Sequence, residues 1–418
     1  MSAVPARDFD VIIVGAGVIG AAMASLLVAC KLSAPGRVAI VADRFGAAAP
    51  ADADWDLRVF ALSRASQRLL KTCGVWDALP ATRLFAYERM CVWDAGGEPH
   101  GKGSLSFDSA EIGEPNLGFI VDGRVLQWHC LQGARNAGTV LLEGRLTAIA
   151  SGDAAVSISL SDGRTLRSQL LIAADGQESK ARELLGIETA GHSYRQDALV
   201  AHVRTAKFHA NTAWQRFLKV GPLAFLPLPD GRSSIVWSTA LAESARLRAL
   251  DPEAFGAALT AASGGVLGDC ELSTQLASFP LKLQYALEYA RPRAVLLGDA
   301  AHVVHPLAGQ GLNLGLLDCA VLAEVLGQAG GSGYFGEHRL LRRYERWRRS
   351  ENLLAAGALD GLERVFASAD PLSTALRSLG LSAADKLPFV KRGLARRALG
   401  LTGDLPSFLK ADTRIDPV

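Results

Sequence analysis

Several features that would point to particular protein classes are scarce or absent in this chain. Only six of the 418 residues are cysteine, and they lie far apart, without a CxxC pair or a histidine spacing suited to zinc. Neither a disulfide framework nor a metal site is therefore predicted, and reduced cytosolic thiols are the simplest interpretation. The formal net charge of +2 gives no nucleic-acid signal. The sequence contains no internal repeat and no low-complexity linker.

One stretch, residues 11–29, is apolar enough to resemble a membrane span. Three regularly spaced glycines interrupt it and a basic n-region is missing, so neither a transmembrane helix nor a signal peptide is expected there. The composition, with 49% apolar and 21% charged residues, is that of a globular α/β protein. At 418 residues the chain exceeds one comfortable core, which predicts two domains plus a helical tail.

The N-terminal segment alternates strand, helix and strand. Residues 10–14 form an apolar run typical of a buried parallel strand, and a glycine-rich turn at residues 15–20 opens a helix rich in alanine and leucine. Residues 37–41 form a second apolar strand that leads to Asp43. This order predicts a Rossmann-type βαβ unit.

The middle of the chain changes to short alternating runs typical of antiparallel strands. Residues 155–160 and 165–171 flank a Ser-Asp-Gly-Arg turn, which predicts a hairpin. Segments 197–204, 214–226 and 233–239 are strand-like and are bordered by prolines, so we expect a mainly antiparallel second layer that holds the substrate.

The last third of the chain predicts one more buried strand at residues 294–297, then a loop rich in glycine and proline, then a helix from Asn313 to Leu326. Beyond Tyr334 the sequence is helical and basic. A solvated helix face is the simplest interpretation of the arginines that crowd into this stretch. They are Arg339, Arg342, Arg343, Arg346, Arg348 and Arg349.

The first motif with a chemical meaning is the glycine triplet Gly15, Gly17 and Gly20. Its spacing permits a tight turn, a close backbone approach to a pyrophosphate, and close packing of helix on strand. Asp43 ends the second strand where the ribose hydroxyls should be met. A glycine-rich turn without a ligand is the alternative, but the strand before it and the helix after it favour a dinucleotide.

Residues 296–315 indicate which dinucleotide binds. They place Asp299 at a strand end, then Pro306, then glycines at a helix start. Asp299 can accept a hydrogen bond from a ribityl hydroxyl, while backbone amides near residues 309–312 can face the edge of a flavin ring. A simple nicotinamide dehydrogenase needs no such segment, so we predict that the cofactor is FAD.

At these residues the sequence resembles the group A flavoprotein aromatic hydroxylases, and within them the ubiquinone-biosynthesis hydroxylases. The resemblance covers nearly the whole chain, and residues 298–315 are its most specific part. It is carried by residues 15–20, Arg58 with 61–63, 74–76, 92–94, 117–126, 173–176, 298–315 and 387–391. The last of these stretches narrows the match to the ubiquinone branch.

The motifs and the resemblance together imply an α/β fold, in which a Rossmann-like FAD-binding domain is interleaved with a mainly antiparallel β substrate domain and followed by a C-terminal helical tail. The FAD-binding domain would comprise residues 1–75, 100–180 and 280–350, the substrate domain residues 76–99 and 181–279, and the tail residues 351–418. The residues expected at FAD are Gly15, Gly17, Gly20, Asp43, Arg58, Arg124, Asp299, Pro306, Gly309, Gln310, Gly311, Leu312 and Asn313. Asp175 and Gly176 match a motif associated with both FAD and the nicotinamide donor.

The activity that the resemblance implies is hydroxylation of the aromatic ring of a prenylated phenol in ubiquinone biosynthesis, with O2 and with NADPH or NADH as a transient reductant. Because the cofactor carries the chemistry, we nominate no general base. No second GxGxxG follows a strand, so NAD(P)H is expected to bind without a Rossmann domain of its own.

The tail after Asn352 alternates apolar with basic residues, which suits a peripheral position on the inner membrane or on a quinone-synthesis complex. Ordinary helix packing explains the tail equally well, and the expected location is otherwise cytoplasmic. The residues concerned are Leu353, Leu354, Leu359, Leu362, Arg364, Arg377, Lys386, Lys391, Arg392, Arg396 and Arg397.

Two other functions stay open at this stage. The chain could be an FAD-dependent reductase or dehydrogenase acting on a lipid, which oxygen consumption tied to a hydroxylated product would distinguish from a monooxygenase. It could instead be a flavin-containing subunit of a quinone-synthesis complex with little turnover of its own. Turnover of the purified protein with NADPH and substrate decides that second alternative.

Several side chains have simple structural interpretations. His302 and His305, beside Asp299, are interpreted as polar residues of the cofactor pocket, because no carboxylate or cysteine cluster completes a metal site. Ser63 and Ser179 lack the elbow motif of a nucleophile. Three aromatic side chains of the second layer are expected in its core. They are Trp214, Phe225 and Trp237.

Overall fold

The computed structural model of this chain describes residues 7–48, 50, 53–304, 310–367, 385 and 387–410. In chain order the strands are β1 (Arg7–Val14), β2 (Val38–Ala42), β3 (Val59–Leu62), β4 (Leu84–Tyr87), β5 (Arg89–Asp94), β6 (Ser104–Asp108), β7 (Gly118–Asp122), β8 (Val140–Glu143), β9 (Leu146–Ser151), β10 (Val156–Leu160), β11 (Thr165–Ala173), β12 (Thr189–Thr205), β13 (Thr212–Leu218), β14 (Gly221–Pro227), β15 (Ser233–Ala240), β16 (Cys270–Leu272), β17 (Ala277–Ala286), β18 (Ala290–Arg291), β19 (Ala294–Leu296) and β20 (His302–Val303). The helices are α1 (Val18–Ala29), α2 (Arg64–Thr72), α3 (Gly123–Asn136), α4 (Lys180–Leu184), α5 (Leu241–Arg248), α6 (Pro252–Ser263), α7 (Gln310–Gly327), α8 (His338–Ala367) and α9 (Pro388–Ala398).

The first sheet holds the predicted βαβ unit. Its strand order is β18-β19-β11-β1-β2-β8, and β10 and β9 extend it from β11. Strand β1 pairs in parallel with both β2 and β11. Val11, Ile12 and Ile13 are fully buried in β1, a central parallel strand whose two faces are both covered, which explains the continuous apolar run. The predicted hairpin at residues 155–171 is confirmed as the antiparallel pair β10 and β11.

The second sheet is the mainly antiparallel layer. Its order is β20-β17-β12-β15-β14-β13-β5-β6, with β16 paired to β12, and the pairing of β13 with β5 is parallel. The segment 214–226 forms the two strands β13 and β14, which pair as a hairpin. Strand β6 belongs to this sheet because it pairs with β5 along its length, although residues 100–180 were predicted in the FAD-binding domain.

One face of the second sheet packs on a core of its own. Phe225 and Trp237 are buried in this cluster, as expected for core residues. Trp214 is only partly buried against the same cluster and also lines a large cavity, so it is not a core residue alone. The Trp214 ring also meets the Trp93 ring edge to face, with 6.2 Å between the ring centroids. Since successive side chains of a strand point to opposite faces, the neighbours of these aromatics face away from this core.

A small third sheet, with the order β3-β7-β4, completes the architecture. The buried Asp122 at the end of β7 connects the start of α3 to the segment that precedes β3. One of its carboxylate oxygens accepts from the Val125 amide at 3.0 Å and caps α3, and the other accepts from the Asp56 amide at 3.0 Å. This carboxylate therefore fixes the chain that leads into β3.

The C-terminal region packs back against earlier parts of the chain. Arg68 of α2 donates to the Leu409 carbonyl at 3.0 Å, and Lys391 of α9 lies 2.8 Å from Glu111.

By length and composition, α7 is the one helix of the described chain that could cross a membrane, and 61% of its 18 residues are buried inside the protein. All six cysteines are free.

Candidate functional site

A cavity of about 1170 Å³ is lined by residues of all three sheets. Typical pockets for one small ligand measure roughly 300–1,000 Å³. The cavity therefore has room for an extended cofactor together with a second ligand. At one end it is bordered by the glycine-rich turn after β1, and at the other by the second sheet.

The three glycines of the turn do different work. Gly15 has a φ of +113°, and a Cβ there would lie 2.2 Å from the Ala174 carbonyl oxygen, so the turn itself demands glycine. Gly17 lines the cavity at the N-terminus of α1, and a Cβ there would have no protein atom within 4 Å. Gly20 lies off the cavity wall, and its Cβ would approach the Gly15 carbonyl oxygen to 2.1 Å. Gly20 therefore allows α1 to pack closely, while Gly17 leaves space for a ligand.

Two further predicted contacts, Asp43 and Arg58, line the cavity, and a third does not. Asp43 follows β2 and is exposed, which suits a carboxylate that meets a ribose. The Arg58 guanidinium lies 5.1 Å from the centroid of the Phe60 ring. Arg124 is exposed in the first turn of α3 and is not part of the cavity wall.

The segment after β19 brings Asp299 to the cavity. A short helical turn at Gly298–Ala300 presents Asp299 in the wall, and Gly298 adopts a φ of +57° there. The first turn of α7, from Gln310 to Asn313, also lines the cavity, so its free backbone amides lie at the wall. A Cβ at Gly311 would have no protein atom within 4 Å among the described residues. The predicted contacts Pro306 and Gly309 lie outside the described residues.

Asn313 has a structural task that the sequence did not indicate. Its side chain is nearly buried and donates to the Ala61 carbonyl at 2.8 Å. Its amide oxygen accepts from the Ser63 amide at 2.9 Å and from the Ser66 hydroxyl at 2.7 Å. Asn313 thus anchors the end of β3 to α7, and both elements border the cavity.

Ser63 and Ser179 each cap a helix, α2 and α4, which is an ordinary use for a serine before a helix.

Behind Asp299 lies a buried ion cluster formed by Asp318, His302, Arg348 and Asn352. One Asp318 oxygen lies 2.6 Å from His302 Nε2 and accepts from the Gly298 amide at 3.1 Å. The other oxygen accepts from Arg348 Nε at 2.7 Å and from the Asn352 amide at 3.2 Å. Burial alone would raise the pKa of the Asp318 carboxyl, but His302 and Arg348 hold it well below its usual value.

The ion cluster corrects two expectations. Arg348 is 3% exposed, so this arginine does not belong to a solvated helix face. Arg342 and Arg349 are half-buried, whereas Arg339, Arg343 and Arg346 are exposed as expected. His302 bonds Asp318 and does not line the cavity, so it is not a polar residue of the cofactor pocket, whereas His305 lies outside the described residues. Within the described chain, no group of three histidine, cysteine or acidic side chains could hold a metal ion.

Charge is distributed unevenly around the cavity. Charged side chains gather at the end near the glycine turn and the Asp299 segment. They include Asp43, Asp56, Arg58, Arg145, Asp175, Glu178, Lys180 and Asp299, and Lys282 of β17 pairs with Glu178 at 2.8 Å. The part of the wall that belongs to β12, β13, β14 and β15 carries no charged side chain. Tyr87 also lines the cavity, and burial raises the pKa of its phenol to about 12, so at neutral pH it is protonated and is not a base.

These features fit FAD. An open glycine turn at a helix N-terminus accommodates a pyrophosphate, the exposed Asp43 follows the second strand, and a second helix N-terminus at Gln310 lines the same cavity. A nicotinamide dinucleotide alone would leave the segment from Asp299 to Asn313 without a ligand.

Comparison with known proteins decides the family. The FAD binding domain family matches residues 132–352, more than half of the chain. Ubiquinone hydroxylase UbiL of Rhodospirillum rubrum is 38% identical over 394 residues, which cover 94% of this chain and 89% of that protein. The 3-demethoxyubiquinol 3-hydroxylase of Escherichia coli is 34% identical over 398 residues, which cover 94% of this chain and 98% of that protein. The chain belongs to the ubiquinone-biosynthesis family of FAD-dependent hydroxylases.

Solved structures support the fold of this family. The p-nitrophenol 4-monooxygenase PnpA of Pseudomonas putida DLL-E4 superimposes with a TM-score of 0.73 at 18% identity, covering 94% of this chain and 98% of that chain. Klebsiella pneumoniae HpxO, complexed with FAD and uric acid, gives a TM-score of 0.69 at 18% identity, covering 94% of this chain and 97% of that chain. The predicted fold class, the FAD cofactor and the monooxygenase class are confirmed.

Proposed function

We propose that this FAD-dependent monooxygenase hydroxylates the aromatic ring of a prenylated phenol, with NAD(P)H as the reductant and O2 as the oxygen donor. The observation that carries the proposal is the continuous cavity, which runs from the glycine turn to the uncharged wall formed by β12, β13, β14 and β15. When bound, FAD accepts a hydride from the nicotinamide and activates O2. The protein binds and orients both ligands and limits the access of water.

The two ends of the cavity suit two different ligands. The turn at Gly17 and the helix start at Gln310 offer backbone amides to the polar cofactor. The opposite wall is formed by side chains such as Val200, Ala224 and Val236, which exclude water from the reacting atoms. A neutral, lipophilic aromatic ring is the ligand that such a wall accepts at low desolvation cost.

We also propose that helix α9 brings the enzyme to the membrane that stores the substrate. Ala395 and Leu399 at the end of this helix line the cavity, while Phe389 is 74% exposed and Leu394 is 48% exposed. Exposed basic residues lie on the same helix, and aromatic, leucine and basic side chains together favour an anionic surface. They are Arg392, Arg396 and Arg397. A prenyl chain could then pass from the membrane along α9 into the cavity.

The hydroxylation is tested with purified protein, NADPH or NADH, and ortho-geranylphenol in detergent under isotopically labelled O2. We expect a hydroxylated product that carries one labelled oxygen atom and consumption of one O2 for each product. Oxidation of the flavin by a lipid without O2 uptake would favour the reductase or dehydrogenase. Protein that carries FAD but turns over only within a larger complex would favour the low-turnover subunit.

The membrane proposal is tested by flotation with anionic liposomes at low salt. The change Phe389→Ser should weaken binding about 10- to 150-fold, because burial of a phenylalanine side chain contributes about 1.5–3 kcal/mol. The matched control is Phe208→Ser, since Phe208 is 64% exposed on the second domain, far in sequence from α9. Complete recovery of the wild-type protein in the soluble fraction, or equal effects of both variants, would remove the membrane part of the proposal.

A further inference from the structure

The wall that strands β5 and β12 to β15 contribute to the cavity is composed mostly of apolar residues and carries no charge. Strand alternation separates this wall from the core, because Leu199, Phe225 and Trp237 occupy the opposite face. The residues of β5 and β12 to β15 that line the cavity are Met90, Ala198, Val200, Ala213, Trp214, Gln215, Pro222, Ala224, Leu226, Ser234, Val236 and Ser238. Gln215 is the longest polar side chain among them.

The neighbours of Gln215 give its amide nothing to bind. In the sheet register Gln215 pairs with Val92 of β5 and with Ala224 of β14, and Ala224 in turn pairs with Val236. Gln215 is 6% exposed, and its side chain makes no hydrogen bond to any residue of the described ranges. Its amide atoms are not among the buried unpartnered atoms of these ranges, so the amide opens onto the cavity that Gln215 lines. A ligand that enters the cavity can therefore bond this amide.

The serines of the same wall are less suited to bind a ligand in the cavity. Ser234 is fully buried, and its hydroxyl is closed off from the cavity as well as from any hydrogen-bond partner in the described chain. Ser238 is 2% exposed and has a short side chain. Gln215, with two N–H donors and a carbonyl acceptor, can reach farther and can bond a ligand hydroxyl in both directions.

We infer that Gln215 orients the substrate ring, by hydrogen-bonding a hydroxyl or ether oxygen on the ring edge that faces the sheet. This inference rests on the proposed function and names the residue that sets which ring carbon faces the flavin. An amide carries no charge, and the sheet strands around it carry none on this wall. The edge of the substrate ring that contacts Gln215 is therefore uncharged, because a carboxylate on that edge would be buried without a cation.

The variant Gln215→Met keeps the length and shape of the side chain and removes its hydrogen bonds. We expect full FAD content and an unfolding midpoint close to that of the wild type, because the Gln215 amide makes no hydrogen bond within the described protein. With ortho-geranylphenol, KM should rise about 3- to 10-fold, the size of one lost hydrogen bond. The fraction of NAD(P)H oxidation that yields hydroxylated product should fall, and a second regioisomer should form.

The control is Thr239→Val, an isosteric change at a 2% exposed residue of the same sheet that does not line the cavity. It should leave KM, coupling and regioselectivity unchanged. Unchanged KM, coupling and product in Gln215→Met would overturn the role of Gln215 while leaving the proposed function intact. A lowered unfolding midpoint in Gln215→Met would also overturn it, because it would show that the amide supports the fold. Failure of the wild type to hydroxylate the phenol would instead overturn the proposed function, and the role of Gln215 with it.

Discussion

Adding a side chain at Gly17 should remove FAD from the enzyme without damaging the fold. Among the three glycines of the turn, Gly17 is the one at which a Cβ would enter open cavity space, with no protein atom within 4 Å. Its φ of −73° is one that valine adopts without strain. A valine at Gly15 would instead collide with the Ala174 carbonyl, so loss of FAD there could not be separated from misfolding.

The size of the effect follows from the contacts that the helix N-terminus provides. A hydrogen bond from a backbone amide to a charged phosphate contributes about 1.5–3 kcal/mol, and the helix dipole adds about 0.3–1 kcal/mol. A branched side chain at Gly17 holds the pyrophosphate away from α1 and removes roughly one such bond together with the dipole contribution. The loss of about 2–4 kcal/mol corresponds to a Kd for FAD raised about 30- to 1,000-fold.

The assay is titration of the apoprotein of Gly17→Val with FAD, followed by flavin fluorescence, with thermal unfolding measured in parallel. Gly96→Val is the matched control, because Gly96 is exposed, has open space around its Cβ position and lies away from the cavity. We expect both apoproteins to unfold near the wild-type temperature. Native affinity for FAD in Gly17→Val would show that the pyrophosphate does not approach α1 and that the glycine triplet does not form the dinucleotide site.

Three further outcomes are expected. The change Gly311→Val should lower the FAD content or the flavin reduction potential with the fold intact, and native content, potential and hydroxylation together would contradict a role for the start of α7. NAD(P)H should bind only transiently, so equilibrium dialysis that detects tight stoichiometric nicotinamide without substrate would refute this. The change Asp318→Asn should cost roughly 3–5 kcal/mol in urea unfolding, because Arg348 is left without its buried partner. Since the folded-state pKa of Asp318 is depressed, its stabilisation is present above about pH 4 and is lost as the pH falls further, so the variant should show a weaker decline there.

Local sequence patterns were sufficient where a few adjacent residues determine both structure and chemistry. The glycine triplet, the flanking apolar strands and Asp43 lie within one βαβ unit, so their geometry follows from short-range rules. The segment from Asp299 to Asn313 was predicted for the same reason, since strand end, loop and helix start are consecutive in the chain. Arg58 reached the cavity as the family resemblance implied, whereas Arg124 lies outside its wall.

The remaining features depend on contacts between distant parts of the chain. Gln215 stands in an ordinary strand pattern, and only the sheet register shows that its neighbours are apolar and that it faces the cavity. Ala395 and Leu399 come from the C-terminal region and line a cavity built mostly by the N-terminal two thirds of the chain. Helical periodicity could suggest a buried face for α9, but it could not indicate which surface that face would meet.

The buried ion cluster explains why one arginine of the basic helix differs from its neighbours. Arg348 and Asn352 are one turn apart on α8, so both side chains reach the same Asp318 carboxylate of α7. That carboxylate also accepts from the Gly298 amide, immediately before Asp299 in the cavity wall. All the side chains that bond Asp318 are buried, so a shift of α8 would leave the Asp318 and Arg348 charges buried without their partners. The free energy that this would cost couples the position of the Asp299 segment to that of α8. Helix α8 therefore helps to place the Asp299 carboxylate in the cavity wall, although the described residues of this helix do not line the cavity.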